Sequence, residues 1–318
     1  MGHSPEDKAS AKGVDRRHAL ECMIWAGTGV LWTVVGGVPK SLNLLGSAEA
    51  ATAETHGFSF LQISDSHVGF DKAANPHALD TLKEAISKVK SLPQKPAFMI
   101  HTGDITHLSK AEQFDTSRQI INEAGLDVHY VPGEHDMVDD VPGTEFMARY
   151  GKNAKGAGWY SFDQEGVHFI GLVNVVNLKA GGLGQLGAEQ IAWLADDVKS
   201  LADSTPIVVF AHIPLWTVYQ QWGWGTDDST QALALLKRFG SVTVLNGHIH
   251  QIMQKVEGNV TFHTARSTAF PQPAPGTAAA PGPMTVPAGE LRGLLGISQV
   301  SVVQGKRELA IIDTTLAG

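Results

Sequence analysis

The chain has 318 residues, enough for one large domain or two small ones with a full hydrophobic core. Its hydrophobic content of 43% is that of an ordinary folded protein, and one cysteine, Cys22, excludes an intramolecular disulfide and a cysteine-rich zinc site. The net charge of −8 argues against nucleic acid as a partner, because phosphate binding usually uses a basic surface. The charge does not exclude phosphate chemistry, since bound cations can reverse the local field of an acidic site.

Residues 1–53 are interpreted as an export signal and linker. Arg16 and Arg17 precede a weakly hydrophobic stretch that is too short and too rich in glycine for a comfortable membrane span. Small residues at 48–50 and 51–53 offer cleavage sites of the A-x-A type. We therefore predict a twin-arginine signal, handling by the twin-arginine export machinery, a periplasmic or extracellular location, and no stable membrane insertion after processing. The alternative is an ordinary amphipathic N-terminal helix.

Short apolar runs alternate with helix-like stretches from residue 58 onward. In chain order the pattern predicts a strand at 58–64, a helix at 75–92, a strand at 95–104, a helix at 110–125, a strand at 126–133, a hairpin at 159–173 that turns at Glu165-Gly166, a helix at 187–201, a strand at 205–214, a helix at 229–240 and a strand at 241–250. Residues 251–318 are strand-rich and contain a Pro/Gly-rich loop at 270–289. This order predicts a layered α/β domain with mixed sheets over residues 54–318.

Five of the predicted strands end abruptly in acidic residues or histidines. The ends read ISDSH (63–67), HTGDIT (101–106), VPGEHD (131–136), FAHIP (210–214) and LNGHIH (245–250). Polar groups at the carboxyl ends of strands converge on one crevice in such folds. A lone histidine at a strand end is usually structural, but nine ionisable residues at five ends need partners, and several carboxylates in one crevice would repel each other.

Divalent or trivalent cations are the natural partners of this cluster. The D-x-H and H-x-H motifs hold alternate residues, whose side chains share a face if the segments are extended. With three single residues they make seven candidate ligands: Asp65, His67, Asp104, Glu134, His212, His248 and His250. One metal takes about four protein ligands at most, so seven predict two metals that share a bridging carboxylate. Mixed carboxylate and imidazole ligands suit Fe, Mn or Zn.

The five motifs in this order resemble those of the calcineurin-like metallophosphoesterases, over residues 58–250. The resemblance implies an α/β/β/α sandwich in which two mixed sheets are flanked by helices, with the metal site at the carboxyl ends of the strands. It implies a first metal on Asp65, His67 and His250, a second metal on Glu134, His212 and His248, and Asp104 as the bridge. It also implies that His135 faces the substrate phosphate and leaving group, and that Asp136 orients His135 through a hydrogen bond.

Two positions depart from the family pattern. Glu134 stands where the family usually carries Asn, and it either binds the second metal with an extra negative charge or faces elsewhere. His107 stands three residues after Asp104, where purple acid phosphatases carry a Tyr ligand, so no tyrosine–iron colour is expected. The pattern is more similar to the bacterial cyclic-nucleotide phosphodiesterase-like branch.

The resemblance implies a two-metal phosphoesterase that hydrolyses small phosphate mono- or diesters by attack of a metal-activated hydroxide. One alternative is a metal-binding scaffold or binding protein with this fold and little catalysis. Another is a dinuclear iron oxidoreductase, which fits the ligand pattern less well. A tryptophan-rich loop at 214–225 directly follows His212 and is either a wall for the substrate or a packed lid over the core.

Overall fold

The computed structural model describes residues 57–179, 181–303 and 309–317, and the paired strands at 30–35 and 38–43. The chain divides into two units, Met1–Thr55 and His56–Gly318. In the first unit, β1 (Val30–Val35) pairs antiparallel with β2 (Val38–Asn43). Arg16, Arg17 and the cleavage sites lie outside the described residues, so the export signal stays a prediction.

Two mixed β-sheets form the centre of the second unit. The five-stranded sheet has the order β13-β12-β3-β4-β5, and its strands are β3 (Gly57–Ile63), β4 (Met99–His101), β5 (Val128–Tyr130), β12 (Gly296–Val303) and β13 (Ala310–Thr315). The six-stranded sheet has the order β10-β11-β9-β8-β7-β6, and its strands are β6 (Tyr160–Gln164), β7 (Val167–Gly171), β8 (Ile207–Ala211), β9 (Val242–Asn246), β10 (Gln254–Glu257) and β11 (Val260–Thr264). In the five-stranded sheet, β3, β4 and β5 are parallel, and β12 and β13 extend the sheet on one side, each antiparallel to its neighbour. In the six-stranded sheet, β7, β8, β9 and β11 are parallel and lie between the antiparallel edge strands β6 and β10.

Helices cover the outer face of each sheet. The helices are α1 (Ala78–Lys90), α2 (Ala111–Asn122), α3 (Thr144–Tyr150), α4 (Ala188–Val198), α5 (Ser229–Leu236) and the short α6 (Leu291–Leu294). Apolar side chains of α1, α2 and α3 pack with Leu61 and Ile63 of β3. Those of α4 and α5 pack with the outward residues of β7, β8 and β9. No helix in the described ranges has the length and apolar character needed to cross a bilayer.

The two sheets pack face to face through aromatic side chains. Phe60 of β3 lies 5.1 Å from Phe98 and 5.3 Å from Phe169 of β7, measured between ring centroids. All three rings are buried, and such pairs add to the free energy of burying their area. The predicted sandwich of helix, sheet, sheet and helix is therefore confirmed.

The predicted elements are present, with shorter bounds. Helix α1 begins at Ala78 rather than at residue 75, because the side chain of Asn75 accepts a hydrogen bond from the His77 backbone N–H at 3.0 Å and forms a turn. The hairpin turns at Glu165 and Gly166, whose φ angles are +48° and +81°. Helix α3 was not predicted, since seven residues are too few to show a helical period.

The two sheets place their carboxyl edges at one crevice. Parallel strands β3, β4 and β5 of one sheet, and parallel strands β8 and β9 of the other, end there. Hydrogen bonds cross between the sheets at this edge: Gln62 donates to the Asn246 carbonyl at 3.0 Å, and His212 Nδ1 donates to the Thr102 carbonyl at 2.7 Å. The five predicted strand ends therefore meet.

Candidate metal centre

The structure brings the seven candidate ligands together in two groups of three with one carboxylate between them. Asp65, His67 and His250 form the first triad, and their candidate ligand atoms lie within 4.8 Å of one another. Within it, His250 Nε2 lies 3.2 Å from Asp65 Oδ1 and 3.4 Å from His67 Nε2. The first triad is almost completely buried.

The second triad consists of Glu134, His212 and His248, also within 4.8 Å. Glu134 Oε2 lies 2.8 Å from His212 Nε2, and Glu134 Oε1 lies 3.0 Å from His248 Nδ1. Of the two possibilities for Glu134, the structure therefore shows it pointing at the other two residues of its triad.

Asp104 lies between the two triads. Its Oδ2 atom is 3.4 Å from His67 Nε2 in the first triad and 3.4 Å from His212 Nε2 in the second. Its Oδ1 atom accepts a hydrogen bond from the His135 backbone N–H at 2.9 Å. One oxygen is thus anchored to the backbone while the other faces both triads at equal distance.

The ligand-bearing segments are not extended, contrary to the sequence-based expectation. Five of the seven candidate ligands have left-handed backbone conformations, with φ of +53° at Asp65, +40° at His67, +51° at Asp104, +70° at His248 and +56° at His250. Asp and His tolerate this region better than most residues, but it is still sparsely populated. Such conformations persist where surrounding contacts impose them, and they concentrate at functional sites.

Two motif glycines are required by the ligand carboxylates themselves. A Cβ on Gly133 would lie 2.1 Å from Asp104 Oδ1, and a Cβ on Gly247 would lie 2.6 Å from Asp65 Oδ2 and 2.1 Å from the Ser64 hydroxyl. No side chain fits at these distances. The glycines let the backbone approach the carboxylates closely enough for them to accept its N–H groups.

Contacts behind the triads fix the tautomers of two imidazoles. His212 Nδ1 donates to the Thr102 carbonyl at 2.7 Å, and His250 Nδ1 donates to the Phe270 carbonyl at 2.5 Å. Both rings therefore present Nε2 to the site. The Phe270 ring also packs 4.7 Å from the His67 and His250 rings. The sequence carried no signal for this role of Phe270, which begins the Pro/Gly-rich loop.

The charges of the site compensate each other. Burial opposes ionisation of Glu134, but His248 and His212 hold the pKa of this carboxyl well below its usual range. Burial likewise opposes protonation of His212, yet Asp104 and Glu134 raise the pKa of its imidazole well above the ordinary value. Burial also works against the charge of Asp65, whose pKa is nevertheless lowered by neighbouring imidazoles. Cations bound by the same carboxylates would replace these protons.

The donor atoms of the second triad fit a metal ion. Among the described residues, Glu134 Oε2, His212 Nε2 and both ring nitrogens of His248 are buried without a hydrogen-bond partner, because their close distances are not aligned for hydrogen bonding. A buried polar atom without a partner costs about 1–3 kcal/mol. Carboxylate oxygens and imidazole nitrogens without thiolate are donors that zinc, iron and manganese accept.

The predicted hydrogen bond between Asp136 and His135 is wrong. The Asp136 carboxylate is fully buried and accepts backbone N–H bonds from Ile105, Thr106 and Gly133 at 3.0, 2.8 and 3.0 Å, and a bond from the Thr106 hydroxyl at 2.9 Å. Burial, with Asp104 nearby, raises the pKa of Asp136 to about 7. Asp136 holds together the two turns that follow β4 and β5, and its oxygens face these donors rather than the ring of His135.

His135 is instead held by His107. The His135 Nδ1–H donates to the His107 carbonyl at 2.9 Å, and the two rings stack with centroids 4.8 Å apart. In the sequence, His107 stands out only because purple acid phosphatases have a tyrosine ligand at this position. Its position three residues after Asp104 was the available signal, but the direction of its ring depends on the fold.

The tryptophan-rich loop supports the second H-x-H pair from behind. Trp222 and Trp224 are buried and form a cluster with Ile249, the residue between His248 and His250. Of the two possibilities raised by the sequence, these two side chains fit packing against the core. They restrain the turn that carries both histidines.

The fold is that of a known family. The model of the calcineurin-like phosphoesterase family matches residues 58–252, which is more than half of the chain. The chain belongs to the calcineurin-like phosphoesterase family, as the sequence motifs predicted.

Several proteins with named activities are similar to the chain. A 3',5'-cyclic-nucleotide phosphodiesterase of Nostoc sp. is 24% identical over 221 residues, which cover 67% of this chain and 79% of the relative. A glycerophosphodiester phosphodiesterase of Enterobacter lignolyticus is 23% identical and covers 60% of this chain and 69% of its own length. The chain is therefore a phosphoric ester hydrolase.

A solved structure shows the same fold. The crystal structure of a dimetal phosphatase from Danio rerio superposes with a TM-score of 0.56 at 14% identity, covering 80% of this chain and 98% of the other. At 14% identity this similarity shows a shared fold only.

Proposed function

We propose that the protein is a two-metal phosphoesterase that hydrolyses small phosphate mono- or diesters. The observation that carries the proposal is the position of Asp104 Oδ2, 3.4 Å from one imidazole nitrogen of each triad. A carboxylate oxygen at equal distance from two groups of ligands is suited to bridge two cations. A single cation would leave one triad of buried donors without a partner.

Each triad would hold one ion of Fe, Mn or Zn. The first would bind to Asp65, His67 and His250, the second to Glu134, His212 and His248, and Asp104 would bridge. When bound, the ions would supply Lewis-acid charge for the phosphoryl oxygens and acidify a water nucleophile.

His135 would act on the leaving group. Its Nδ1–H is committed to the His107 carbonyl, so its Nε2 is the atom free to carry the transferable proton. In the metal-free protein burial opposes protonation, but Asp104 and Glu134 raise the pKa of His135 above its ordinary value. His135 would hydrogen-bond a phosphoryl oxygen and donate that proton to the leaving oxygen.

Phosphodiesters are the first substrate class to test, because the relatives from Nostoc sp. and Enterobacter lignolyticus are named as phosphodiesterases. Protein loaded separately with Mn, Fe and Zn is assayed with bis(p-nitrophenyl) phosphate, p-nitrophenyl phosphate, a cyclic nucleotide and a glycerophosphodiester. Hydrolysis that chelator abolishes and metal restores is the expected result.

The rival function is that of a metal-binding scaffold with little catalysis. It predicts two metals per chain and no turnover of any ester in the panel. His135 argues against it, since a scaffold needs the metal ligands but not a group for the leaving oxygen. Metal content and turnover measured on the same preparation separate the two functions.

We also propose that the protein is exported by the twin-arginine route, because Arg16 and Arg17 form an arginine pair ahead of a weakly hydrophobic stretch. Changing both to lysine should leave active precursor in the cytoplasm, because this route carries folded proteins and reads the arginine pair. Fractionation with an activity assay measures this. Undiminished export of the double variant would contradict the proposal.

A further inference from the structure

His107 contacts both a candidate metal ligand and the candidate proton donor. Its Nδ1 atom lies 3.4 Å from the Nδ1 atom of His67, and its ring stacks on that of His135 at an angle of 17° between the planes. The Phe70 ring lies perpendicular to the same ring, with the two centroids 5.2 Å apart. The His107 side chain is thus held in place by rings on three sides and is itself half-buried.

The two nitrogens of His67 have different surroundings. Nε2 lies 3.4 Å from both His250 Nε2 and Asp104 Oδ2, on the side of the first triad. Nδ1 lies on the opposite side, towards His107. If Nε2 is the metal-binding atom, the proton of neutral His67 must be on Nδ1, and Nδ1 then needs an acceptor.

We propose that His107 is a positioning residue: its Nδ1 lone pair accepts the His67 Nδ1–H, and its ring face supports His135. The acceptor at this position fixes the tautomer of His67, as backbone carbonyls do for His212 and His250. His107 does not itself bind metal in this arrangement, because its Nδ1 faces the outer nitrogen of His67. The inference rests on the proposed function, since it concerns the metal that His67 would hold.

The chain offers a matched pair of substitutions. Asn carries an oxygen acceptor at the δ position, where His has Nδ1, but lacks the ring. Phe carries a ring at the same place but no acceptor. His107→Asn therefore keeps the contact with His67 and loses the support of His135, whereas His107→Phe does the opposite. The backbone carbonyl that holds His135 is present in both.

The test is a calorimetric titration of metal-free protein with Mn²⁺ and Zn²⁺, alongside turnover of bis(p-nitrophenyl) phosphate at saturating metal. Loss of an acceptor behind a metal-binding histidine typically weakens metal binding by about 10–100-fold. We expect that loss at the first site in His107→Phe and not in His107→Asn. Turnover at saturating metal should fall about 2–10-fold in His107→Asn, the scale of one lost ring contact, and less in His107→Phe.

Two further variants make the titration interpretable. Glu134→Ala identifies the binding step that belongs to the second triad, so the remaining step belongs to the first. Leu108→Ala, at the adjacent and exposed position, is the control and should change neither the metal affinity of the first site nor the turnover. Unchanged first-site affinity in His107→Phe, or equal loss in His107→Asn, would overturn the assignment of His107. Wild-type protein that binds fewer than two metals would instead overturn the proposed function.

Discussion

Replacing Asp136 tests whether it holds the turns of the site or orients His135. The carboxylate accepts four hydrogen bonds, three from backbone N–H groups and one from the Thr106 hydroxyl. Because the pKa of Asp136 is raised to about 7, ionisation of the buried carboxyl opposes folding, so the cost of losing it is largest at low pH and shrinks as pH rises through that value. Each hydrogen bond contributes about 1 kcal/mol net, and the buried donors would be left without partners, so at about pH 5 Asp136→Ala should destabilise the protein by about 4 kcal/mol. For a domain of this size that lowers Tm by about 8–16 °C.

The measurement is chemical unfolding of metal-free protein, followed by circular dichroism. Metal-free protein is needed because bound ions would stabilise every variant by mass action. Asp136→Asn should be intermediate in stability, since it keeps one acceptor oxygen but turns an N–H₂ group towards donors. Asp140→Ala, at a nearby exposed position, is the control and should stay within about 0.5 kcal/mol of wild type.

A double-mutant cycle with His135→Ala decides between the two roles. If Asp136 holds the turns, its stability cost is the same in the His135→Ala background, with coupling below about 0.5 kcal/mol. Two results would contradict a role in holding the turns. One is that Asp136→Ala does not lower the unfolding free energy of the otherwise wild-type protein, and the other is that it lowers this free energy only while the His135 side chain is present. Asp136 would then act through His135, as the family resemblance implied.

Three further predictions concern the site and the stability of the protein. His135→Ala should lower turnover by about two to four orders of magnitude, the range for a lost acid–base group, while metal content by atomic absorption stays unchanged; loss of metal would show that His135 is a ligand. Glu134→Asn should weaken the second metal-binding step in calorimetry because it exchanges a charged oxygen for a neutral one, and Glu134→Ala should weaken it more; equal affinities would mean that Glu134 faces elsewhere. Burial opposes protonation of His168, but Asp197 at 2.9 Å and Asp163 at 2.8 Å raise its pKa above the ordinary 6.5. His168→Gln should therefore cost about 1.5–3 kcal/mol of unfolding free energy below pH 6.5, and this cost should fade as pH rises through the folded pKa; an equal cost at pH 5.5 and pH 9 would exclude the ion pairs.

The residues that bear the chemistry could be read from the sequence because they lie at local landmarks. Each candidate ligand follows a short apolar run, and the carboxyl ends of parallel strands share an edge whatever the details of packing. The hairpin turn at Glu165-Gly166 could also be predicted from neighbouring residues alone, since a turn with two adjacent positive φ angles depends on the residues of the turn itself. Helix α3 was not predicted because its seven residues contain too few turns to show a helical period.

The partners of those residues could be known only from the tertiary structure. The pairing of Asp136 with Thr106 joins positions 30 apart in the chain, and that of His250 with Phe270 depends on a loop without a regular pattern. Nothing in the sequence indicates the left-handed conformations of Asp65 or His248, which contacts between the two sheets impose. Residue type and spacing determined which side chains reach the crevice. The packing of one sheet edge against the other decided which atom of each side chain faces which neighbour, because those neighbours come from strands that are distant in sequence.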